Sequence, residues 1–285
     1  MLFLYEVFKV KIIKEVITSR ANPTVKWAAS LAQKKERAES RSFLAEGIKL
    51  TCEALDAALP VTHILVAESK REAVMNRISE YVDRKEYTDC TLLVLADGVF
   101  DKISTEKAPQ GVISIIKYLD FFKYVDIIYN EDFLLGNDER VLILHSVRDP
   151  LNLGSVIRSA VAFGTEHIIL TSDCADVYNP KTVRSAMGSL FKIKVTIVTD
   201  VSSLIAALRA EGRRVYSAEL NENALALGEV KLSPTDVVII GNEGHGVPAE
   251  VSALCDNAIY IPISERTESL NASVAAAIFM WEQRK

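Results

Sequence analysis

Short apolar runs alternate with segments of helical spacing along most of the chain, which is typical of an α/β sheet with parallel or mixed strands. The runs form two series, and the first predicts a small domain. Its predicted strands are RSFLAEG (41–47), THILVAE (62–68), TLLVLAD (91–97) and GVISIIKY (111–118). Its helices are predicted from Pro23 onward and at about 47–58, 70–84 and 97–104.

The second series shows little strict alternation, as expected for strands that are covered on both faces. Its predicted strands are RVLILHSV (140–147), HIILTSD (167–173), KVTIVTD (194–200), RVYSAEL (214–220), DVVIIGNE (236–243) and NAIYIPI (257–263). The helices between them are predicted at about 153–163, 181–190, 201–211, 248–255 and from 269 to the end. Between the two series, the acidic residues 119–138 have no clear period, so we interpret them as a linker that ends near Gly136.

The composition, 49% apolar and 25% charged over 285 residues, is typical of a globular protein with one or two cores. Glu6, Lys9 and Lys11 interrupt the N-terminal apolar run, which is unlike a signal peptide. No other segment approaches the roughly 18 uninterrupted apolar residues of a membrane helix, so we expect a cytoplasmic protein without membrane contact. The cysteines and histidines are scattered without metal-ligand spacing, and we expect free thiols and no metal.

The net charge of −5 conceals a basic front end. Residues 1–50, which include Arg20 and Lys26, hold ten Lys and Arg against five Asp and Glu. Such a segment can contact phosphates even in an acidic protein, and the alternative is a solvated helix face.

Polar residues and glycines gather after the strands of the second series, where open α/β sheets form their ligand crevice. The first cluster is DPLNLGSVIRSAVAFG (149–164), in which Asn152 is a candidate helix N-cap and Gly164 a candidate C-cap. Arg158 lies four residues after Gly154 on the same helix face, so its guanidinium can fold toward the helix start. An ordinary surface arginine is the alternative.

The second cluster, VVIIGNEGHGVP (237–248), places three glycines after a strand. Their G-x-x-G-x-G order is not the dinucleotide fingerprint, which disfavours a nucleotide-dependent dehydrogenase. Glu243 would also repel a pyrophosphate. A tight strand-to-helix turn is the alternative explanation of the glycines.

The third cluster, IPISERTESLNASVAAAIFMWE (261–282), places Ser269 and Asn271 at a predicted helix start. An apolar stripe follows at helical spacing, and we expect it to be core. The stripe comprises Leu270, Val274, Ile278 and Trp281.

Together, the three clusters resemble the motifs of the SpoU, or TrmH-like, branch of the SPOUT RNA methyltransferases. The matching stretches are NLGSVIRSAVAFG, IIGNEGHGV and IPISERTESLNASVAAAI, and the resemblance covers essentially all of 140–285. Less sharply, ITSRANPTVKWAASL, FLAEGIKLTCEAL and APQGVISI resemble the L30e-like substrate-binding domain of ribosomal RNA members. We therefore predict an extension over 1–13, an L30e-like α/β domain over 14–118, the linker over 119–138 and a methyltransferase domain over 139–285.

The resemblance implies transfer of a methyl group from S-adenosylmethionine to a ribose 2′-hydroxyl of RNA. It also implies a SPOUT α/β fold with a deep trefoil knot and a homodimer formed through the knotted domain. The L30e-like domain favours 23S ribosomal RNA as the substrate. The alternatives are transfer RNA and a catalytically silent RNA-binding relative.

The resemblance also implies roles for individual residues. S-adenosylmethionine has a positive sulfur and no phosphate, which is compatible with Glu243 in the glycine turn. The implied cofactor contacts, largely through backbone, are Gly241, Asn242, Ile261, Ser269 and Leu270, with the stretch from Ala218 to Leu220 in the same pocket.

The central catalytic residue implied by the family is Arg158, either as a general base or as a clamp on the RNA phosphate and the nascent alkoxide. Asn152, Glu243 and Asn271 would orient the reacting groups, with Ser273 a weaker candidate. The implied RNA contacts are Arg158, Lys181, Arg184, Arg20 and Lys26, and helix-surface charge is the alternative for Lys181 and Arg184.

Overall fold

The computed structural model describes residues 10–84, 90–120, 122–125, 135–136 and 138–284. These residues pack into two compact units. Unit 1 contains the described residues up to Leu119 together with Tyr178–Phe191, and unit 2 contains Asp120–Val177 and the chain from Lys192 onward. Segment 178–191 thus packs within unit 1, although its neighbours in sequence belong to unit 2.

Unit 1 is built on a mixed five-stranded sheet. Its strands are β1 (Lys11–Ile17), β2 (Ser42–Glu46), β3 (Val61–Ala67), β4 (Thr91–Leu95) and β5 (Val112–Lys117), in the spatial order β1–β4–β3–β5–β2. The four strands predicted here are confirmed, and β1 is an additional strand at the sheet edge. Its exposed Lys11 and Glu15 break the apolar pattern because an edge strand is only partly covered.

Five helices precede or follow these strands. They are α1 (Pro23–Ser30), α2 (Lys34–Ser40), α3 (Ile48–Asp56), α4 (Arg71–Arg84) and α5 (Asp97–Phe100). The predicted start of α1 is confirmed, because Asn22 Oδ1 accepts a hydrogen bond from Thr24 N at 2.9 Å ahead of Pro23. Val25 of α1 and Phe100 of α5 share one core with Leu65 and Leu93 of the sheet.

Unit 2 is built on an eight-stranded sheet. Its strands are β6 (Phe122–Val125), β7 (Val141–Leu144), β8 (His167–Thr171), β9 (Lys194–Val198), β10 (Val215–Ala218), β11 (Leu225–Ala226), β12 (Val237–Ile240) and β13 (Asn257–Tyr260). The spatial order is β11–β13–β10–β12–β7–β8–β9–β6, and neighbouring strands pair in parallel. The six strands predicted for this part of the chain are confirmed.

The remaining helices are α6 (Pro150–Phe163), α7 (Pro180–Ala186), α8 (Val201–Ala210), α9 (Ala249–Ser252) and α10 (Ala272–Arg284). All of them except α7 belong to unit 2. Among the described helices, none combines the length and apolarity that crossing a membrane requires. The described residues also contain no group of three or more His, Cys, Asp or Glu side chains placed to hold a metal ion.

The stretch interpreted as a linker contains a strand. Residues 122–125 form β6, which pairs in parallel with β9 in the register Phe122 to Val195. The interpretation of these residues as a linker is therefore wrong over 122–125, because the short apolar run pairs with the edge of the sheet. Residues 126–134 lie outside the described residues.

The parallel pairing of unit 2 positions the site. The carboxyl ends of β7, β8, β10, β12 and β13 all meet at one edge of the sheet. Polar residues that follow these strands in sequence are therefore brought together, whereas polar residues that precede the strands lie at the opposite edge.

The opposite, amino-terminal edge holds a buried polar cluster. Glu139 Oε1 accepts a hydrogen bond from Lys194 Nζ at 2.8 Å and lies 3.5 Å from His167 Nδ1. His167 Nε2 in turn lies 2.8 Å from Thr196 Oγ1. Because Glu139 precedes β7 and the others start β8 and β9, the cluster ties the starts of three adjacent strands together.

Candidate active site

The start of α6 differs from the prediction. The helix begins at Pro150, and Asp149 is the N-cap, since its Oδ1 accepts from Leu151 N at 2.7 Å and Asn152 N at 2.9 Å. The prediction of Asn152 as the N-cap is therefore wrong. The C-cap prediction is confirmed, because Gly164 takes the left-handed conformation with φ 81°. Since Asp149 caps the helix, the carboxamide of Asn152 is available for tertiary contacts.

A chain of side-chain hydrogen bonds joins the three sequence clusters. Asn152 Nδ2 donates to Glu243 Oε1 at 2.8 Å, and Asn271 Nδ2 donates to Asn152 Oδ1 at 2.9 Å. Asn271 Oδ1 also caps α10 by accepting from Ser273 N at 2.9 Å and from Ser273 Oγ at 2.6 Å. Three of the four predicted catalytic residues are thus connected, together with Ser273.

The glycine turn after β12 is shaped by its own backbone. Asn242 N donates to Gly246 O at 3.0 Å, and Gly246 N donates to Asn242 O at 2.9 Å. A Cβ at Gly241 would lie 2.1 Å from Gly246 C, and Gly246 itself has φ +66°. The turn therefore requires both glycines, which agrees with the alternative explanation of this cluster as a tight strand-to-helix turn.

The side chain of Asn242 holds this turn in place. Its Nδ2 donates to Ser146 O at 2.7 Å after β7, and its Oδ1 accepts from Gly244 N at 2.9 Å. Asn242 thus links the ends of two neighbouring strands, β12 and β7, and its side-chain donor and acceptor are both engaged within the protein.

A cavity of about 690 Å³ lies at the ends of β10, β12 and β13. Its lining combines the glycine turn, the segment after β13 and the start of α10. The six residues predicted to contact the cofactor all line it: Leu220, Gly241, Asn242, Ile261, Ser269 and Leu270. The volume suits an extended small molecule.

The charges around this cavity are acidic. Glu219, Glu243 and Glu268 line it together with His245, and its described lining contains no lysine or arginine. Glu219 Oε1 accepts a hydrogen bond from Asn221 Nδ2 at 2.9 Å and another from the hydroxyl of Ser252. Such a lining attracts a cationic ligand and repels a phosphate.

Comparison with known proteins identifies the family. The model described as the SpoU rRNA Methylase family matches residues 139–281, and that of the MRM3-like substrate binding domain matches residues 22–114. This chain belongs to the SpoU rRNA methylase family. The family expected from the three motifs is confirmed.

Individual relatives cover nearly the whole chain. A 23S rRNA (guanosine(2553)-2'-O)-methyltransferase of Bacillus subtilis is 33% identical over 94% of this chain and 98% of its own length. A 23S rRNA (uridine(2479)-2'-O)-methyltransferase of Streptomyces viridochromogenes is 28% identical over 93% of this chain and 90% of its own length. The crystal structure of an AdoMet-bound rRNA methyltransferase from Sinorhizobium meliloti is 31% identical, covers 97% of this chain and 98% of that one, and superposes with a TM-score of 0.78.

The arginine of the first SpoU motif stands apart from the cavity. Arg158 is exposed on α6, whereas Gly154 is buried beneath the same helix. Arg158 is not among the described residues that line the cavity. Among the described residues of one chain, the structure thus joins Asn152, Glu243 and Asn271, whereas Arg158 is exposed at the surface of this SpoU domain.

The other four predicted RNA contacts lie in unit 1. Arg184 Nη1 pairs with Glu106 Oε1 at 2.8 Å and donates to Thr105 Oγ1 at 3.1 Å, so its charge is partly neutralised. Arg20 donates to Gly98 O through Nε at 3.3 Å and Nη2 at 3.0 Å. Lys26 and Lys181 are exposed.

The apolar stripe of the third SpoU motif is not core. Val274 is 47% exposed and Trp281 46% exposed on α10, and Leu151 of α6 is 48% exposed. Helix α10 instead buries Ala272, Ala276, Phe279, Met280 and Gln283. The expectation of a buried stripe is wrong for the single chain, because helical spacing of apolar residues marks a packed face without saying what packs on it.

Sequence analysis missed a second polar cluster at the same sheet edge. Asp173, after β8, accepts hydrogen bonds from Ser146 Oγ, from Thr171 Oγ1 at 2.6 Å and from Arg148 Nη2 at 3.1 Å. Burial raises the pKa of Asp173, but these hydrogen bonds outweigh it and lower the pKa to about 2. The signal was present in the sequence, since Ser146, Thr171 and Asp173 lie at the carboxyl ends of predicted strands and Arg148 follows one of them.

Proposed function

We propose that this chain transfers a methyl group from S-adenosylmethionine to a ribose 2′-hydroxyl of 23S ribosomal RNA. The observation that carries the proposal is the hydrogen-bonded chain from Glu243 in the cavity lining through Asn152 to Asn271. It connects a cavity suited to a cationic small molecule with polar side chains at the carboxyl edge of the sheet. The relatives named as 23S rRNA 2′-O-methyltransferases support the reaction type.

The cavity residues fit the proposed cofactor. S-adenosylmethionine, when bound, supplies an electrophilic methyl group on a positively charged sulfur. Glu219, Glu243 and Glu268 favour that charge, and the absence of lysine and arginine from the described lining is consistent with a ligand that carries no phosphate. Gly241, Ile261 and Leu270 line the cavity and would contact the cofactor largely through backbone.

Arg158 has a role that follows from the chemistry of its guanidinium. A guanidinium stays protonated in proteins, which disfavours a general base. As a cation, it can bind the RNA phosphate and stabilise the negative charge that develops on the 2′-oxygen as the hydroxyl gives its proton to solvent water. Asn152, Glu243 and Asn271 hold one another in a single arrangement, and alignment of reacting groups can lower a barrier by roughly 7–11 kcal/mol.

The proposed assembly is a homodimer formed through unit 2. The half-exposed Val274, Trp281 and Leu151 support it, because an apolar helix face of this kind is normally covered by a partner. A second copy can also bring groups to the exposed Arg158. We further propose that the C-terminal segment of unit 2 is threaded as a trefoil knot, as in the family.

We propose that the N-terminal part of the chain binds the RNA. The proposed boundaries are 14–118 for the L30e-like domain and 139–285 for the methyltransferase domain. The match of residues 22–114 to a substrate binding domain supports the assignment of RNA binding to the N-terminal domain. The proposed place of action is the cytoplasm, where the ribosomal RNA substrate would be encountered.

The decisive experiment maps 2′-O-methylation in 23S rRNA transcripts incubated with S-adenosylmethionine and either the wild-type protein or Arg158→Ala. We expect methylation at a defined nucleotide with the wild type. The variant should bind the cofactor normally but lose at least 100-fold in turnover, because one electrostatic contact to a developing oxyanion is worth about that much.

Arg209→Ala is the matched control, since Arg209 is an exposed arginine of unit 2 that pairs with Asp256 at 3.0 Å at the amino-terminal edge of the sheet. It should methylate like the wild type. Methylation of transfer RNA instead of 23S rRNA would overturn the substrate. Cofactor binding without methylation of any RNA would indicate a silent RNA-binding relative.

A further inference from the structure

Arg148 lies at the carboxyl edge of the sheet, outside the hydrogen-bonded chain of Glu243, Asn152 and Asn271. It stands between the end of β7 and Asp149, the N-cap of α6. Its side chain is 69% exposed, and Nη2 donates to Asp173 Oδ2 at 3.1 Å. This is its one hydrogen bond among the described residues, so most of the guanidinium N–H groups face solvent.

The carboxylate that holds Arg148 is itself firmly held. Thr171 Oγ1 donates to Asp173 Oδ1 at 2.6 Å, and Ser146 Oγ donates to Asp173 Oδ2. Ser146 has φ 56°, which non-glycine residues seldom adopt, and its carbonyl accepts from Asn242 Nδ2 at 2.7 Å. Arg148 is therefore anchored, through Asp173 and Ser146, to the same turn that lines the cavity.

The two sides of the carboxyl edge of the sheet differ in charge. The cavity side of the edge, at β10, β12 and β13, has an acidic lining without lysine or arginine. The adjacent side, at β7 and β8, presents Arg148 as an oriented guanidinium. A polyanion that approaches the edge is thus repelled from the cavity and meets beside it the guanidinium N–H donors that Asp173 leaves unused.

We infer that Arg148, oriented by Asp173, binds a backbone phosphate of the substrate RNA next to the cavity. A planar guanidinium can donate two parallel hydrogen bonds to a phosphate. Because Asp173 already restricts the side chain of Arg148, binding a phosphate costs less conformational entropy. The contact positions the acceptor strand. Arg148 therefore acts in RNA binding and affects turnover only through that binding. The inference rests on the proposed function, because it takes RNA as the ligand.

The test measures the dissociation constant of a 23S rRNA transcript for the full-length protein and for Arg148→Ala over a series of salt concentrations. We expect binding about tenfold weaker and a dependence on salt reduced by about 0.7 in logarithmic slope, the value for one phosphate contact on a single strand. Affinity for S-adenosylmethionine, measured by calorimetry, should change less than twofold.

Two further variants separate charge from orientation. Arg148→Lys keeps the charge and should restore most of the salt slope but not the full affinity. Asp173→Asn leaves Arg148 unpaired with a carboxylate, and it should raise KM for RNA several-fold while leaving the salt slope unchanged. Thermal melting of each variant shows whether it folds.

Arg209→Ala again serves as the control, because it removes an equally charged, half-exposed arginine from an Arg–Asp pair at the opposite edge. It should leave RNA affinity and slope unchanged. An unaltered affinity and slope in folded Arg148→Ala would overturn the inference, as would weaker cofactor binding with unchanged RNA binding, which would assign Arg148 to the cofactor. Failure of the proposed function is recognised separately, as the absence of methylation by the wild type.

Discussion

At the scale of single residues, Gly241 shows how a motif position is explained by geometry. The glycine pattern of the second motif can be recognised in the sequence, yet it is equally compatible with a ligand contact and with a tight turn. The structure shows the turn requirement directly, because a Cβ at Gly241 would lie 2.3 Å from Gly246 O and 2.4 Å from Val247 N. Backbone atoms of a closed turn cannot move aside without breaking it.

We therefore expect Gly241→Ala to open the turn. It should lower the free energy of unfolding by about 1–3 kcal/mol, the usual cost of overpacking, and weaken S-adenosylmethionine binding more than tenfold. Urea denaturation and calorimetry measure the two effects. Gly244→Ala is the control, because its nearest neighbour would be Asn242 Oδ1 at 3.5 Å, an ordinary contact. Equal behaviour of the two variants would contradict the explanation.

At the scale of elements, the strands β7, β8 and β9 of unit 2 are joined at their starts by the cluster around His167. Burial, with smaller contributions from Lys194 and Lys123, lowers the pKa of His167 to about 4 against the opposing effect of Glu139. The pKa of Glu139 is also lowered, since hydrogen bonds from Lys194 and Gly136 outweigh its burial. The cluster is therefore folded with a neutral histidine and a charged glutamate.

This arrangement predicts a stability that depends on pH. An unfolded histidine titrates near 6.5, so between pH 6.5 and about 4 the unfolded chain binds a proton that the folded chain does not. Stability is therefore fully present above pH 6.5 and falls as the pH drops toward 4, by at most about 3.4 kcal/mol from this residue. Urea denaturation at several pH values measures the slope.

His167→Asn provides the comparison for that slope, because asparagine has no titratable group. The variant should be less stable than the wild type at pH 7 but lose less stability between pH 6.5 and 4.5. A slope identical to that of the wild type would show that other groups control the acid response.

At the scale of the whole molecule, the exposed face of α10 predicts association. If Val274 and Trp281 are covered by a second copy, the wild type should sediment as a dimer at micromolar concentration. Val274→Glu should shift it to a monomer, because a charge buried without a partner in an apolar interface costs several kcal/mol. Analytical ultracentrifugation measures the mass.

Leu225→Glu is the control for this prediction. Leu225 is 40% exposed on the edge strand β11, so it is an exposed apolar residue of the same unit outside α10. The variant should remain a dimer. A monomeric wild type, or a dimer that survives Val274→Glu, would rule out α10 as the interface.

Much of the site could be predicted from the sequence because the relevant information is local. Asn152 and Asn271 follow predicted strands and Glu243 ends one, and parallel strands bring their carboxyl ends together. The identity of the caps was harder, since Asp149 and Asn152 are both good N-cap residues and only the hydrogen bonds distinguish them. Likewise, the short run in β6 resembled a linker because its partner, β9, is remote in sequence.

By itself, the sequence determined most strands of both sheets, the family and the residues that gather at one edge, because periodicity, turn residues and motif spacing are properties of short stretches. Only the tertiary structure decided that Asn242 is engaged with Ser146, that Arg158 stands outside the cavity, that the stripe of α10 is exposed and that Asp173 orients Arg148. The physical reason is that burial and hydrogen-bond partners depend on which distant segments pack together, and a local pattern is the same whether its face meets a core, a partner or solvent.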